Sequence, residues 1–228
     1  KTEVEAGHRH QIRAARFYLT AQLECGHLCP LTMTNASLAA LMADNTLFRR
    51  WAPRVAVRKY DHSNKPVVQK SGITIGMGMT EKQGGTDVRA NTTRAERLEG
   101  KIYRLTGHKW FLSAPMSDAF LVLAQVDKGL SCFLVPRVLE DGSGNGLHFQ
   151  RLKDKLGNRS NASSEVEFHG TMGELVGEPG GGIRTIMDMV TLTRLDCALG
   201  SAGIMRAALA EAVHHTRHRQ VFGTRLIE

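Results

Sequence analysis

Three short runs carry residue types that could do chemistry. The first, Gly76–Val88, reads Gly-Met-Gly-Met-Thr-Glu-Lys-Gln-Gly-Gly-Thr-Asp-Val. Adjacent glycines let backbone N–H groups approach an anion closely, and the hydroxyls of Thr80 and Thr86 add donors. The third glycine of a dinucleotide fingerprint is absent, and no Gly-Lys-Ser/Thr follows as in a Walker loop. On the residues alone, a phosphate cradle and a plain turn both stay open. The second run, Gly107-His108-Lys109-Trp110-Phe111-Leu112-Ser113, is a strand with adjacent aromatics ending in a hydroxyl. Such a strand could pack an aromatic on a flat heteroaromatic ring and offer its hydroxyl to a ring nitrogen, or simply feed a core. The third, Arg217-His218-Arg219-Gln220-Val221-Phe222-Gly223, is basic and lies at a helix end. There the charge also suits the helix dipole, and Gly223 suits a stop.

Other chemistry finds little footing. Gly200-Ser201-Ala202-Gly203 is not a Gly-x-Ser-x-Gly nucleophile elbow and sits inside a helical pattern. Cys25 and Cys29 bracket His27, but no second pair completes a zinc set. His214 and His218 share a helical face without a third ligand, so no metal is expected.

The elements that must position these runs fall into three blocks. From Glu3 to about Trp51 the pattern is helical, with Ile12, Ala15, Leu19 and Gln22–Leu23 on one stripe. Cys29-Pro30 reads as a break, and Asn35 or Ser37 as the cap of a second helix. From about Gln69 to Val176 the period becomes two. Short strands are expected at Ile73–Met79, Ile102–Leu105, Trp110–Ser113, Phe120–Val126, Ser131–Val135, Leu147–Leu152 and Glu165–Phe168, with Gly107-His108 as a turn. That is a sandwich or barrel signature. Glu178-Pro179-Gly180-Gly181-Gly182 then stops the strands, and Ile183 to about Arg219 reads as one long helix weakened by Gly200 and Gly203. The expected class is α+β multidomain, with a helical domain over 1–70, a β-domain over 71–178 and the start of a helical bundle over 179–228.

The 228 residues carry 42% hydrophobic and 23% charged residues, an ordinary globular balance. No apolar run is long enough to span a membrane, and no signal peptide is visible. The net charge of +8 points to an anionic partner, and nucleic acid, a nucleotide cofactor and CoA phosphates all qualify. Four scattered cysteines fit reduced thiols and a cytoplasmic setting. The chain starts at Lys1 and stops at Glu228, so further residues are expected to complete the bundle.

Taken together and in this order, the three runs resemble the acyl-CoA dehydrogenase family. The strings Cys29–Thr34, Gly76–Val88, Lys153–Ser163 and Thr193–Gly200 are similar to its AidB branch, associated with the response to DNA alkylation. The resemblance covers essentially the whole chain. It implies an acyl-CoA dehydrogenase-like fold of N-terminal helices, a middle β-domain and a C-terminal four-helix domain. It implies FAD as cofactor, with Met77, Gly78, Met79 and Thr80 along the flavin ring, and Gly85 and Thr86 at the pyrophosphate. Phe111 would pack on the ring system, with Leu112 beside it and Ser113 near N5. Arg219 and Phe222 would reach the FAD of a neighbouring subunit, which implies a homo-oligomer, typically a tetramer. Arg194 would support the active site.

The implied reaction is α,β-dehydrogenation of an acyl-CoA thioester. A carboxylate removes the α proton while the β hydrogen leaves as hydride to the flavin. The resemblance puts that base on a glutamate beyond residue 228. The other position used by relatives, just before Arg194, holds Thr193, which cannot serve. The AidB branch adds a second expectation: double-stranded DNA as a partner, contacted through a C-terminal region outside this chain.

Overall fold

A computed structural model describes residues Gly7–Glu228. Residues 1–6, among them the expected helical start at Glu3, lie outside the described residues. The chain divides into two compact units. One runs from Cys29 to Thr193; the other combines the residues up to Leu28 with Arg194–Glu228.

Within Cys29–Thr193, seven strands form one sheet: β1 (Ile75–Gly78), β2 (Arg94–Glu99), β3 (Ile102–Ser113), β4 (Ala119–Val126), β5 (Gly129–Pro136), β6 (Leu147–Leu152) and β7 (Ser163–Val176). Pairing runs β4–β2–β3–β7–β5 and returns from β5 to β4, so the path closes into a small barrel. The return is well made, with Ala119 to Val126 in register with Pro136 to Gly129, whereas β2 meets β4 only at Arg94 and Gln125. β1 adds in parallel outside β4, and β6 adds to β7.

Strand alternation then builds two cores. The barrel interior holds Tyr103, Leu105, Leu112, Phe120, Val122, Phe133, Val135, Val166 and Phe168. The opposite faces of β1, β4 and β5 present Ile75, Leu121, Leu123, Cys132 and Leu134 to a second core. That core is capped by helices α2 (Leu28–Leu41) and α3 (Asn45–Val55) and by the start of α4 (Gly182–His218). The Asp44 carboxylate starts α3 by accepting from the N–H groups of Thr46 and Leu47.

In the other unit, α1 (Arg9–Ala21) packs on the later turns of α4 through Phe17, Ala21 and Leu199. The Arg13 guanidinium grips the buried Asp196 carboxylate with two hydrogen bonds of 2.7 and 2.5 Å. Gly203 makes the approach possible, since a Cβ there would lie 2.4 Å from the Tyr18 carbonyl oxygen. The glycine that weakens the helical pattern is therefore the place where two helices touch. After α4 the chain ends in a two-strand hairpin, β8 (Gln220–Val221) and β9 (Thr224–Arg225).

Several expectations need correction. Cys29-Pro30 is not a break: α2 starts at Leu28, and Pro30 sits in its first turn, where a missing N–H costs nothing. The break is at 22–27, where the Glu24 carboxylate accepts from the N–H groups of Gly26 and His27. Neither Asn35 nor Ser37 caps a helix; both lie inside α2, and Ser37 Oγ donates back to the Thr34 carbonyl. The stripe of Ile12, Ala15 and Leu19 is not the buried face of α1, because the Asp196 pair turns Arg13 and Phe17 inward instead. Gly107-His108 is no turn. β3 runs through it, and Gly107 at φ +144 lies so close to Thr93 that a Cβ would fall 2.7 Å from its Cα. β2 was not expected at all, because only Ala95 of its six residues is buried and no alternation shows.

Candidate functional site

The first and second runs meet where β1 leaves the sheet. The Trp110 N–H donates to the Thr80 carbonyl at 2.8 Å, so the chain after Gly78 continues alongside β3. A tight turn follows. Glu81 and Gly84 exchange backbone hydrogen bonds across Lys82-Gln83, with Gly84 at φ +134. Gly85 then lies so close to Thr80 that a Cβ would fall 2.5 Å from its hydroxyl oxygen. Only glycine permits this approach.

The turn is fixed from beneath by Glu81, whose side chain is completely buried. One carboxylate oxygen accepts from Lys109 Nζ at 2.7 Å and from the Thr93 N–H at 3.1 Å. The other accepts from the Thr92 N–H at 2.6 Å and its hydroxyl at 2.9 Å. Burial pushes the Glu81 carboxyl up, but hydrogen bonds from Lys109, Thr93 and Thr92 outweigh it and hold it at about 2. Burial pulls the Lys109 ammonium down to about 8, only partly opposed by Glu81. Asn91 ties the far end of the loop by donating to the Met79 carbonyl at 2.9 Å. Lys82 N–H donates to His108 Nε2 at 3.0 Å.

Alternation sorts the side chains of the two runs. Gly76 and Gly78 face the barrel interior, where a Cβ on Gly78 would meet Leu112 and Lys109. Met77 and Met79 pack on the opposite face, against the helix-capped core. On β3, Leu112 points inward and is fully buried, while Phe111 is 44% exposed and Ser113 is half-buried. The surface left open thus offers the edges of Met77 and Met79, the Thr80 turn, the Phe111 ring and the Ser113 hydroxyl. Lys153 lies over the neighbouring Trp110 ring at 3.4 Å and 4.7 Å from the Phe111 ring, while its charge is paired with Glu165.

Three regions of the chain match known protein families. The model of the AidB N-terminal domain matches residues 3–62, that of the acyl-CoA dehydrogenase middle domain residues 76–171, and that of its C-terminal domain residues 180–228. The chain belongs to the acyl-CoA dehydrogenase family. It is 57% identical over 95% of its length to the Escherichia coli protein named "Putative acyl-CoA dehydrogenase AidB", of which it covers 40%. It is 34% identical over 86% of its length to acyl-CoA dehydrogenase family member 11 of Caenorhabditis elegans, covering 33% of that protein. The crystal structure of Caenorhabditis elegans ACDH-11 in complex with C11-CoA superposes with a TM-score of 0.83 at 31% identity, over 94% of this chain and 37% of that one. The chain therefore spans about two fifths or less of these relatives. Butyryl-CoA dehydrogenase from Megasphaera elsdenii shares the fold, with a TM-score of 0.76.

Homologues in the acyl-CoA dehydrogenase family are flavoproteins, and the open surface suits a flavin. The ring system is apolar at one end and polar at the other, as are the methionines with Phe111 and the hydroxyls of Thr80 and Ser113. The Gly84-Gly85-Thr86 turn is open to solvent beside them. Met77, Gly78, Met79, Thr80, Gly85, Thr86, Phe111, Leu112 and Ser113 lie together in the Cys29–Thr193 unit, although Gly78 and Leu112 offer only backbone to that surface. Arg194, Arg219 and Phe222 belong to the other unit. There Phe222 is held at φ +54 at the tip of the β8–β9 hairpin, with its ring fully exposed.

The residues with no role in the sequence reading are Glu81, Thr92, Thr93, Asn91 and Lys109. Glu81 and Lys109 stand inside the two runs already singled out. The signal was the inward phase of Lys109, which shares the buried side of β3 with Tyr103 and Leu105.

The expectation of DNA as a partner gains no support. Several cations are already paired within the chain: Arg50 with Glu174, Arg151 and Lys153 with Glu165, and Arg159 with Asp154. No described helix is long and apolar enough to cross a membrane. No described cluster of His, Cys, Asp or Glu could hold a metal.

Proposed function

We propose that this protein is an FAD-dependent acyl-CoA dehydrogenase that oxidises an acyl-CoA thioester between Cα and Cβ. The observation that carries this reading is the Trp110 to Thr80 hydrogen bond, which sets the glycine turn beside the aromatic-hydroxyl end of β3. The 57% identity to the Escherichia coli protein and the fold shared with a C11-CoA complex support it.

The bound flavin supplies a two-electron acceptor for the substrate's β hydrogen. The chain's own residues do the positioning. Met77, Met79 and Phe111 give an apolar bed for the ring, and Thr80 and Ser113 give it hydroxyl partners. Gly85 and Thr86 present donors to the pyrophosphate. Arg219 and the outward ring of Phe222 serve the flavin site of a neighbouring copy, which makes the protein a homo-oligomer, a tetramer on the family pattern. Arg194 supports the active site. The general base is a glutamate following residue 228.

Anaerobic addition of acyl-CoAs of graded chain length to the natural-length protein tests the reaction. Bleaching of the flavin band by at least one chain length is expected. A flavin band that no acyl-CoA bleaches would reject the dehydrogenase reading.

A further inference from the structure

Ser113 does not stand alone. In the β3–β7 register it faces Ser163, and the two hydroxyl oxygens are 3.0 Å apart. Lys155 Nζ donates to the Ser163 oxygen at 3.2 Å and to the Asn161 carbonyl at 2.5 Å. An ammonium can only donate, so Ser163 must accept from Lys155. With the cation on one side, the Ser163 hydrogen is favoured to turn away from it, and Ser113 Oγ is the acceptor within reach. In the arrangement where Ser163 donates to Ser113, the Ser113 hydrogen is free to point outward.

The charge behind this chain is not cancelled. Lys153, two residues earlier, is neutralised by Glu165. Among the described residues no carboxylate forms an ion pair with Lys155. Charge-assisted hydrogen bonds are stronger than neutral ones, and successive bonds polarise each other.

We propose that Lys155 is a positioning residue. Through Ser163 it fixes the Ser113 hydroxyl as a hydrogen-bond donor aimed at an acceptor atom on the edge of the bound flavin. This rests on the flavin reading above. The rival role for Lys155 is a staple that holds the loop by the Asn161 carbonyl and has no effect on the ligand.

The test compares natural-length protein carrying Lys155→Met, Lys155→Arg, Ser163→Ala, Ser113→Ala and the Lys155→Met/Ser113→Ala pair. The readouts are the FAD dissociation constant and the position of the visible flavin band. Lys155→Met should weaken FAD about fivefold, the loss of one hydrogen bond of ordinary strength, and should shift the band. Ser163→Ala should do the same, and Lys155→Arg should stay close to wild type. In the Ser113→Ala background, Lys155→Met should add little. The proposal is overturned if Lys155→Met and Ser163→Ala leave both readouts unchanged while Ser113→Ala alters them. It is equally overturned if Lys155→Met has its full effect without Ser113. Wild-type protein that takes up no FAD would instead remove the flavin reading itself, and this inference with it.

Discussion

Lys109 Nζ lies 2.7 Å from Glu81 Oε1, with neither side chain reached by solvent. The pair joins the barrel interior to the turn that begins at Thr80. Taking two charges out of water is costly, and four hydrogen bonds to one carboxylate are what make it tolerable. Removing one partner leaves the other charged and buried. Lys109→Met should therefore destabilise the fold by about 3–5 kcal/mol in denaturant unfolding. Adding Glu81→Gln should recover part of that loss, because the orphaned charge disappears with it. A double variant no more stable than Lys109→Met would contradict this account.

The same pair sets a pH window. Glu81 is held at about 2 against an ordinary 4.5, so the unfolded chain takes up the proton first. Its contribution to stability is complete above about pH 4.5 and is lost as pH falls from there through about 2. At the other end, Lys109 is pulled from 10.5 to about 8. Between those values the unfolded chain holds a proton that the folded one has shed, so this group's linkage does not weaken the fold there. It does release the grip on Glu81. Flavin affinity should thus fall above about pH 8 without a matching drop in melting temperature. Affinity that is flat from pH 7 to 10 would count against it.

Gly85 is a test of the turn without a test of the core. An added methyl would press on the Thr80 hydroxyl at 2.5 Å. Gly85→Ala should leave the melting temperature within a few degrees and weaken FAD about tenfold or more, as measured by fluorescence titration.

These positions show how far the sequence could be read. Phe120–Val126 was legible, because a strand buried on both faces leaves a continuous apolar run between turns. β2 was not, since a strand with a single buried residue leaves none. Gly107 looked like a turn because glycine marks turns and close backbone approaches alike, and only the neighbouring chain segment at Thr93 decides between them. The candidate flavin residues came from a resemblance of strings. What holds them in place did not, because a buried lysine in a strand has no local signature apart from its phase.

Gly203 makes the point for the helices. A side chain there would collide with the Tyr18 carbonyl and come within 3.0 Å of Ala21 Cβ. Gly203→Val should cost about 1–3 kcal/mol by forcing α1 off α4, even though valine is the better helix former. An increase in stability on thermal unfolding would show that the two helices are not packed as described.

Phe222 should behave in the opposite way. It is fully exposed and held at φ +54, so Phe222→Gly relieves backbone strain and buries nothing less within one chain. The single-chain fold should be unharmed by circular dichroism, while sedimentation should show a shift toward smaller species and the flavin should be more easily lost. An unchanged assembly would remove the proposed role of the hairpin.

The most direct test is the chromophore released by heating the purified natural-length protein. The account predicts FAD at about one per chain, with Gly85→Ala and Lys109→Met protein markedly depleted. Protein that carries no flavin, and takes up none when FAD is added, would contradict it.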